Sequence, residues 1–199
     1  MTTPRHVDAA SSFSRRGFLA ASTLAATALA IGCARKSEAA TAPSTKPAKA
    51  GKVTLVEFGD DGRRLRTVQL ARVVKSDAQW RKQLSPIAFE VTRRAGTERA
   101  FTGPLLAEHR KGVFRCICCD TALYDAATKF ESGTGWPSFW QPIARQNVVE
   151  SNDTMFGMTR TAISCPRCDA HLGHVFDDGP KPTGLRYCMN SAALRFAAA

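Results

Sequence analysis

A mainly β domain of short strands, with a few short helices at its N-terminal side and a pair of zinc knuckles sharing four cysteines, is the fold this 199-residue sequence predicts. Three observations carry that expectation. Beyond Gly103 the short apolar runs are divided by Gly, Pro and Asp. Between Val53 and Leu70 the apolar pattern alternates on either side of a turn. Two C-x-x-C pairs stand far apart in the chain. Dense turn residues between short apolar runs favour strands joined by long functional loops.

The first segment does not read as part of a fold. Arg15-Arg16 precede an uncharged stretch, Gly17 to Ala34, rich in Ala, Ser and Thr. Adjacent arginines before a weakly apolar segment form the pattern of a twin-arginine export signal, placed at residues 1–33. A transmembrane anchor is the competing reading, but Ala, Ser and Thr gain little in lipid and the stretch sits at the lower limit of length. The stretch ends Leu29-Ala30-Ile31-Gly32-Cys33, and a small residue before a cysteine there resembles a lipoprotein cleavage box. Cleavage after Ser37-Glu38-Ala39 is the alternative. The expected location is therefore periplasmic, or extracytoplasmic with a membrane tether through Cys33. Residues 34–51 hold Ala, Pro, Lys, Ser and Thr without a large apolar residue, so they read as a flexible linker.

Residues 52–75 read as a hairpin extension, Val53–Phe58 and Leu65–Leu70 alternating about Gly59-Asp60-Asp61-Gly62. Domain 76–199 follows. Ser76 or Asp77 caps a helix through Leu84, Pro86 stops it, and Ser85–Val91 starts a second. Gly112–Arg115, Ala162–Ser164 and Arg186–Met189 read as short strands. Lys and Arg number 28 against 17 Asp and Glu, a formal charge of +11. The basic residues are scattered, and no basic run is interleaved with aromatics, so no nucleic-acid partner is expected.

Cys116 and Cys119 form one C-x-x-C pair, Cys165 and Cys168 the other. Four thiolates suit tetrahedral zinc and leave no open position for catalysis, which makes the metal structural. An iron–sulfur cluster and a pair of disulfides fit the same spacing. Cys118, the extra thiol of the first pair, reads either as a small residue facing away from the metal or as a redox partner for Cys188. No organic cofactor is expected, as the sequence has no glycine-rich phosphate loop.

Cys188 stands alone in Gly184-Leu185-Arg186-Tyr187-Cys188-Met189-Asn190-Ser191, downstream of His171 and His174. A nucleophilic thiol needs a lowered pKa, a proton donor and a binding pocket. Either histidine can supply the proton near neutral pH. Trp136 and Phe139 supply an apolar wall for a substrate carrying a methyl group, and Asn190 can orient a water or a histidine. The competing role for both histidines is zinc ligation or burial in the core. The set reads as a cysteine–histidine redox or transfer enzyme. Nothing resembles the local cysteine signature of papain-like hydrolases.

From about Trp80 to Phe196 the chain resembles the B-type methionine sulfoxide reductases. The residues that carry the resemblance are Gly96–Phe101, the paired C-x-x-C, Ser132–Trp140 (SGTGWPSFW), His171–Pro180 (HLGHVFDDGP) and Gly184–Leu194 (GLRYCMNSAAL). The resemblance implies two antiparallel sheets and a methionine-R-sulfoxide reductase domain over 76–199. It implies reduction of methionine (R)-sulfoxide, free or in proteins, by a thioredoxin-like or other thiol reductant. By the same analogy Cys188 attacks the sulfoxide sulfur and becomes a sulfenic acid. His174, with His171 and Asn190, protonates and positions the oxygen, and Trp136 packs on the ε-methyl group. Many relatives carry a second, resolving cysteine where this chain has Thr134, and Thr102 stands at another such place. Direct reduction of Cys188 by an external thiol is therefore expected. Two other classes remain: a zinc-stabilised binding module in which Cys188 is structural, and a metal-dependent hydrolase using the histidines.

Overall fold

The computed structural model describes residues 51–154 and 160–199. The export segment 1–33, its Cys33, and linker residues 34–50 lie outside the described residues. Among the described residues no helix is long and apolar enough to cross a membrane.

The alternating N-terminal segment forms the hairpin β1 (Lys52–Phe58) and β2 (Arg64–Ala71), paired from Lys52↔Ala71 inward. Its turn closes because Gly62 takes φ of 79°, a left-handed conformation that glycine adopts without a Cβ clash. Helix α1 (Asp77–Gln83) starts at Ser76, whose side chain accepts from Gln79 N, while the Gln79 side chain accepts from Ser76 N. Helix α2 (Pro86–Arg94) begins with Ser85 as cap and Pro86 in its first turn, where the missing N–H costs nothing. One proline thus separates the two helices that the sequence suggested.

The remaining strands are β3 (Gly112–Cys116), β4 (Ala122–Asp125), β5 (Lys129–Phe130), β6 (Ser138–Phe139), β7 (Val149–Asp153), β8 (Arg160–Ser164), β9 (His171–Phe176), β10 (Arg186–Met189) and β11 (Leu194–Ala198). They make two antiparallel sheets, one six-stranded in the order β5-β6-β10-β9-β8-β7 and one three-stranded in the order β11-β3-β4, beside the two-stranded hairpin. Phe114 and Tyr124 of the small sheet meet Phe139 of the large one, with ring centroids 4.9 Å and 4.4 Å apart. Trp80, Phe89 and Val91 from the helices, with Leu172, Tyr187 and Met189 from the large sheet, complete one core. Alternation along β10 follows: Tyr187 and Met189 are buried in the core, so Arg186 and Cys188 project from the opposite face.

Candidate active site

Strand β10 lies in the middle of the large sheet. Cys188 faces His174 across β9 and Ser138 across β6. Close packing here needs Gly173, because a Cβ at that position would fall 2.1 Å from the Cys188 carbonyl oxygen. Cys188 borders a cleft of about 170 Å³ together with Trp136, Phe176, His174, Asn190 and Arg160. An apolar aromatic surface and a polar corner therefore meet at one sulfur atom.

Each lining side chain is held from behind. Trp136 Nε1 donates to the Glu98 carbonyl at 3.1 Å. The Asn190 amide is largely committed to backbone: Oδ1 accepts from Glu98 N at 3.0 Å and Nδ2 donates to the Leu172 carbonyl at 3.1 Å. One N–H of Nδ2 remains. The buried Glu98 carboxylate accepts from Ser191 N at 2.6 Å and Ala192 N at 2.8 Å, tying the turn after β10 to the segment that carries Trp136's acceptor. His174 Nε2 lies 2.9 Å from Asp153 Oδ2, which also accepts from Arg160 at 3.0 Å.

His174 and His171 have different places. A register shift opposite Ile163 and Ser164 leaves Leu172 as an extra residue on β9, so that His171 returns to the face of His174 despite the odd spacing. Their rings are 5.2 Å apart. His174 lines the cleft, while His171 borders the neighbouring groove along β7 and β8. Burial, reinforced by the nearby His174, pushes His171 down to about 4. His171 is therefore neutral at neutral pH, and its Nε2 is buried without a hydrogen-bond partner among the described residues.

Phe139 does not reach the cleft. It is fully buried between the sheets, stacked on Tyr124. Its neighbour Ser138 is the β6 residue that pairs with Cys188, and the apolar wall expected from Phe139 is supplied by Phe176. Sequence reading also passed over Arg186. Two residues before Cys188 and on the same face, it makes a bidentate pair with Asp178, both contacts at 2.8 Å, and its guanidinium lies 4.4 Å from the Phe176 ring. Burial pushes the Cys188 thiol up, and the Thr134 hydroxyl, Arg186 and Ser138 pull the other way without cancelling it. Spacing held a signal for Arg186, since i and i+2 share a strand face. Nothing local pointed to Asp153.

The sulfurs of Cys116, Cys119, Cys165 and Cys168 all lie within 4.8 Å of one another. Two of the edges are 3.7 Å (Cys116 to Cys168) and 3.5 Å (Cys119 to Cys165). A zinc–sulfur distance of about 2.3 Å implies tetrahedral edges of roughly 3.8 Å, so the set can close on a metal with little movement. The two knuckles share one backbone plan. Asp120 N donates to Cys116 O and Asp169 N to Cys165 O, each at 2.9 Å, and both aspartates have positive φ. Cys118 is buried at the first knuckle outside this set of four, its carbonyl accepting from Gln83 Nε2 at 2.8 Å.

Fold and site together define a β-sheet thiol protein with a cysteine–histidine cleft and a separate set of four cysteines positioned to bind a metal. Residues 84–198 match the family described as the SelR domain. The chain is 53% identical over 127 residues to the peptide methionine sulfoxide reductase MsrB of Pseudomonas putida (strain W619), covering 64% of this chain and 96% of that relative. It is 54% identical over 124 residues to the protein of that name from Thioalkalivibrio sulfidiphilus, covering 62% and 90%. With that of Hahella chejuensis it shares 52% over 128 residues, covering 64% and 92%. The chain belongs to the SelR-domain family of peptide methionine sulfoxide reductases MsrB.

Proposed function

We propose that the cleft reduces methionine (R)-sulfoxide in proteins and peptides to methionine, with Cys188 as the nucleophile. The observation that carries this reading is the cross-strand pair Cys188↔His174 at a cleft bordered by Trp136 and Phe176. A sulfoxide is an apolar thioether made polar at one atom. Its methyl group suits the two aromatic rings, and its oxygen suits the corner formed by His174 and the remaining N–H of Asn190.

Sulfoxide sulfur is a poor electrophile until its oxygen is protonated, so nucleophile and acid must meet at one substrate. His174 lines the cleft beside Cys188 and is steadied by Asp153, whereas His171 borders the neighbouring groove, so His174 is the donor. The Cys188 thiolate bonds to the sulfoxide sulfur as the oxygen takes a proton from His174. The oxygen then passes to the cysteine sulfur, and methionine leaves with two electrons supplied by Cys188. An external thiol condenses with the resulting sulfenic acid, releasing water and forming a mixed disulfide that a second thiol opens. The atom facing Cys188 Sγ from the Ser132–Trp140 segment is Thr134 Oγ1, 3.9 Å away, not a second sulfur, which supports reduction by an outside dithiol such as a thioredoxin-like protein.

Cys116, Cys119, Cys165 and Cys168 would hold a structural zinc, which when bound joins the two sheets and offers no open position for substrate. Export by the twin-arginine route, with a tether at Cys33, is supported by Arg15-Arg16, the uncharged stretch behind them and Gly32 before the cysteine. Such export carries folded chains, so the metal would be loaded before transport.

Resolved R and S methionine sulfoxide peptides, offered with excess dithiol to the mature protein isolated from its producing cells, test this reading. The R epimer is expected to turn over, the S epimer to remain, and Cys188→Ser to be inactive. The intact mass of the same sample reads the cleavage site and any lipid on Cys33. Reduction of S, or turnover by Cys188→Ser, sinks the assignment.

A further inference from the structure

Three hydroxyls form a chain beside the reactive sulfur, and the steps above use none of them. Thr134 Oγ1 lies 3.9 Å from Cys188 Sγ and 2.8 Å from Ser132 Oγ. Ser132 Oγ lies 2.7 Å from Ser138 Oγ, and Ser138 donates to the Trp136 carbonyl at 3.2 Å. Ser138 is also the cross-strand partner of Cys188, so the chain curls back to the strand that carries the thiol.

We propose that Thr134, Ser132 and Ser138 form a reversible hydroxyl chain that stabilises the Cys188 thiolate when it forms, with Thr134 as the positioning residue in contact with it. The inference rests on Cys188 being the nucleophile. In the thiol state the S–H donates to Thr134, Thr134 to Ser132, Ser132 to Ser138, and Ser138 to the Trp136 carbonyl. Every donor then has an acceptor. When the thiol proton leaves, Thr134 turns about its Cβ–Oγ1 bond and donates to the sulfur, Ser132 turns to donate to Thr134, and Ser138 turns from the Trp136 carbonyl to donate to Ser132. Only hydrogens move. Because the far end is a carbonyl, which has no proton to give, the chain reorients without delivering a proton to the sulfur. It thereby favours the charged nucleophile against the burial that opposes ionisation. The position that holds a cysteine in many relatives here serves the attacking sulfur rather than the later disulfide.

The charged and titratable groups around the sulfur are Arg186 and Asp178 on one side, His174, Asp153 and Arg160 on the other, and Glu98 behind Trp136. Deleting an uncharged hydroxyl leaves all six in place. The measurement is the pH dependence of Cys188 alkylation by iodoacetamide, read on the Cys188 peptide by mass spectrometry in the intact, metal-loaded protein. A hydrogen bond to a charged group is worth about 1.5 kcal/mol, so Thr134→Val is expected to raise the alkylation midpoint by about one pH unit, or tenfold slower reaction at a fixed pH below it. Thr134→Ser should restore the wild-type midpoint, and Thr134→Ala repeats the deletion should valine prevent folding. An unchanged or lowered midpoint in the hydroxyl-free variant overturns the proposal, as does a serine variant displaced as far as valine. Turnover by Cys188→Ser would instead remove the nucleophile assignment, a separate failure that alkylation does not report.

Discussion

His171 and His174 are three residues apart on one strand, yet only one of them lies in the cleft. The difference is position: His174 on β9 faces Cys188 on β10, whereas His171 stands at the groove along β7 and β8. His171 keeps its proton off down to about 4 in the folded chain, against an ordinary value near 6.5. In the window between those values the unfolded chain binds the proton and the folded chain does not, so stability is fully present above the ordinary value and is lost as pH falls. Between pH 7 and pH 5 this residue should account for about 2 kcal/mol of lost stability. Urea midpoints of the wild type and of His171→Phe at both pH values read it. The wild type should lose more than the variant by that margin, and the subtraction cancels any acid sensitivity of the thiolate centre. Equal losses would mean that His171 is solvated. Both histidines were visible in the sequence as a pair, but their inequality was not, because it depends on the extra residue on β9 and on Asp153 arriving from β7. Phe139 was misplaced for a similar reason. In a strand of two residues, Ser138 and Phe139 must face opposite ways, and the pairing of Ser138 with Cys188 sends the larger ring into the core.

At the scale of elements, the hairpin β1–β2 was legible from alternation and the Gly59–Gly62 turn, whereas its attachment was not. Leu55 and Val56 are buried, and the fully buried Asn147 clasps the strand. Asn147 Oδ1 accepts from Val56 N at 2.9 Å, and Nδ2 donates to the carbonyls of Val56 and Ala122, each at 2.8 Å. One side chain thus substitutes for a missing strand partner and joins β1 to β4. Arg115 adds to the joint, donating to the Phe58 carbonyl and pairing with Asp60. Asn147, between Gln146 and Val148, carries no pattern that predicts this role, since Val56 stands 91 residues away and Ala122 stands 25 away. Asn147→Ala leaves buried backbone groups unpaired at a cost of about 1–3 kcal/mol each, so a loss of roughly 3 kcal/mol in unfolding free energy is expected. Asn147→Asp keeps the acceptor, removes both donors and buries a charge, and should be at least as damaging. Denaturant unfolding of both variants checks the order, and an aspartate variant near wild-type stability would contradict it.

Across the whole molecule, the two cysteine pairs were the strongest feature of the sequence, and the structure gives their separation a purpose. Cys116 ends β3 of the small sheet, and Cys165 follows β8 of the large one. A metal on the four sulfurs therefore ties one sheet to the other at the edge of the shared core. Cys116, Cys165 and Cys168 are themselves part of that core. Removing the metal would leave four thiols packed too closely to remain charged together and would release the tie between sheets. The cleft draws Cys188, His174, Phe176 and Arg160 from the large sheet and no residue from the small one, so it needs the metal only through the integrity of the fold. Three measurements separate the readings. Elemental analysis should find one zinc per chain. During stripping with a chelator, loss of R-sulfoxide turnover should follow the same curve as loss of the near-ultraviolet circular dichroism signal. Cys116→Ser should lower both the metal content and the thermal midpoint, while the fraction that remains folded keeps its turnover. Activity vanishing while the dichroism is unchanged would place the metal in the chemistry and would contradict a purely structural centre.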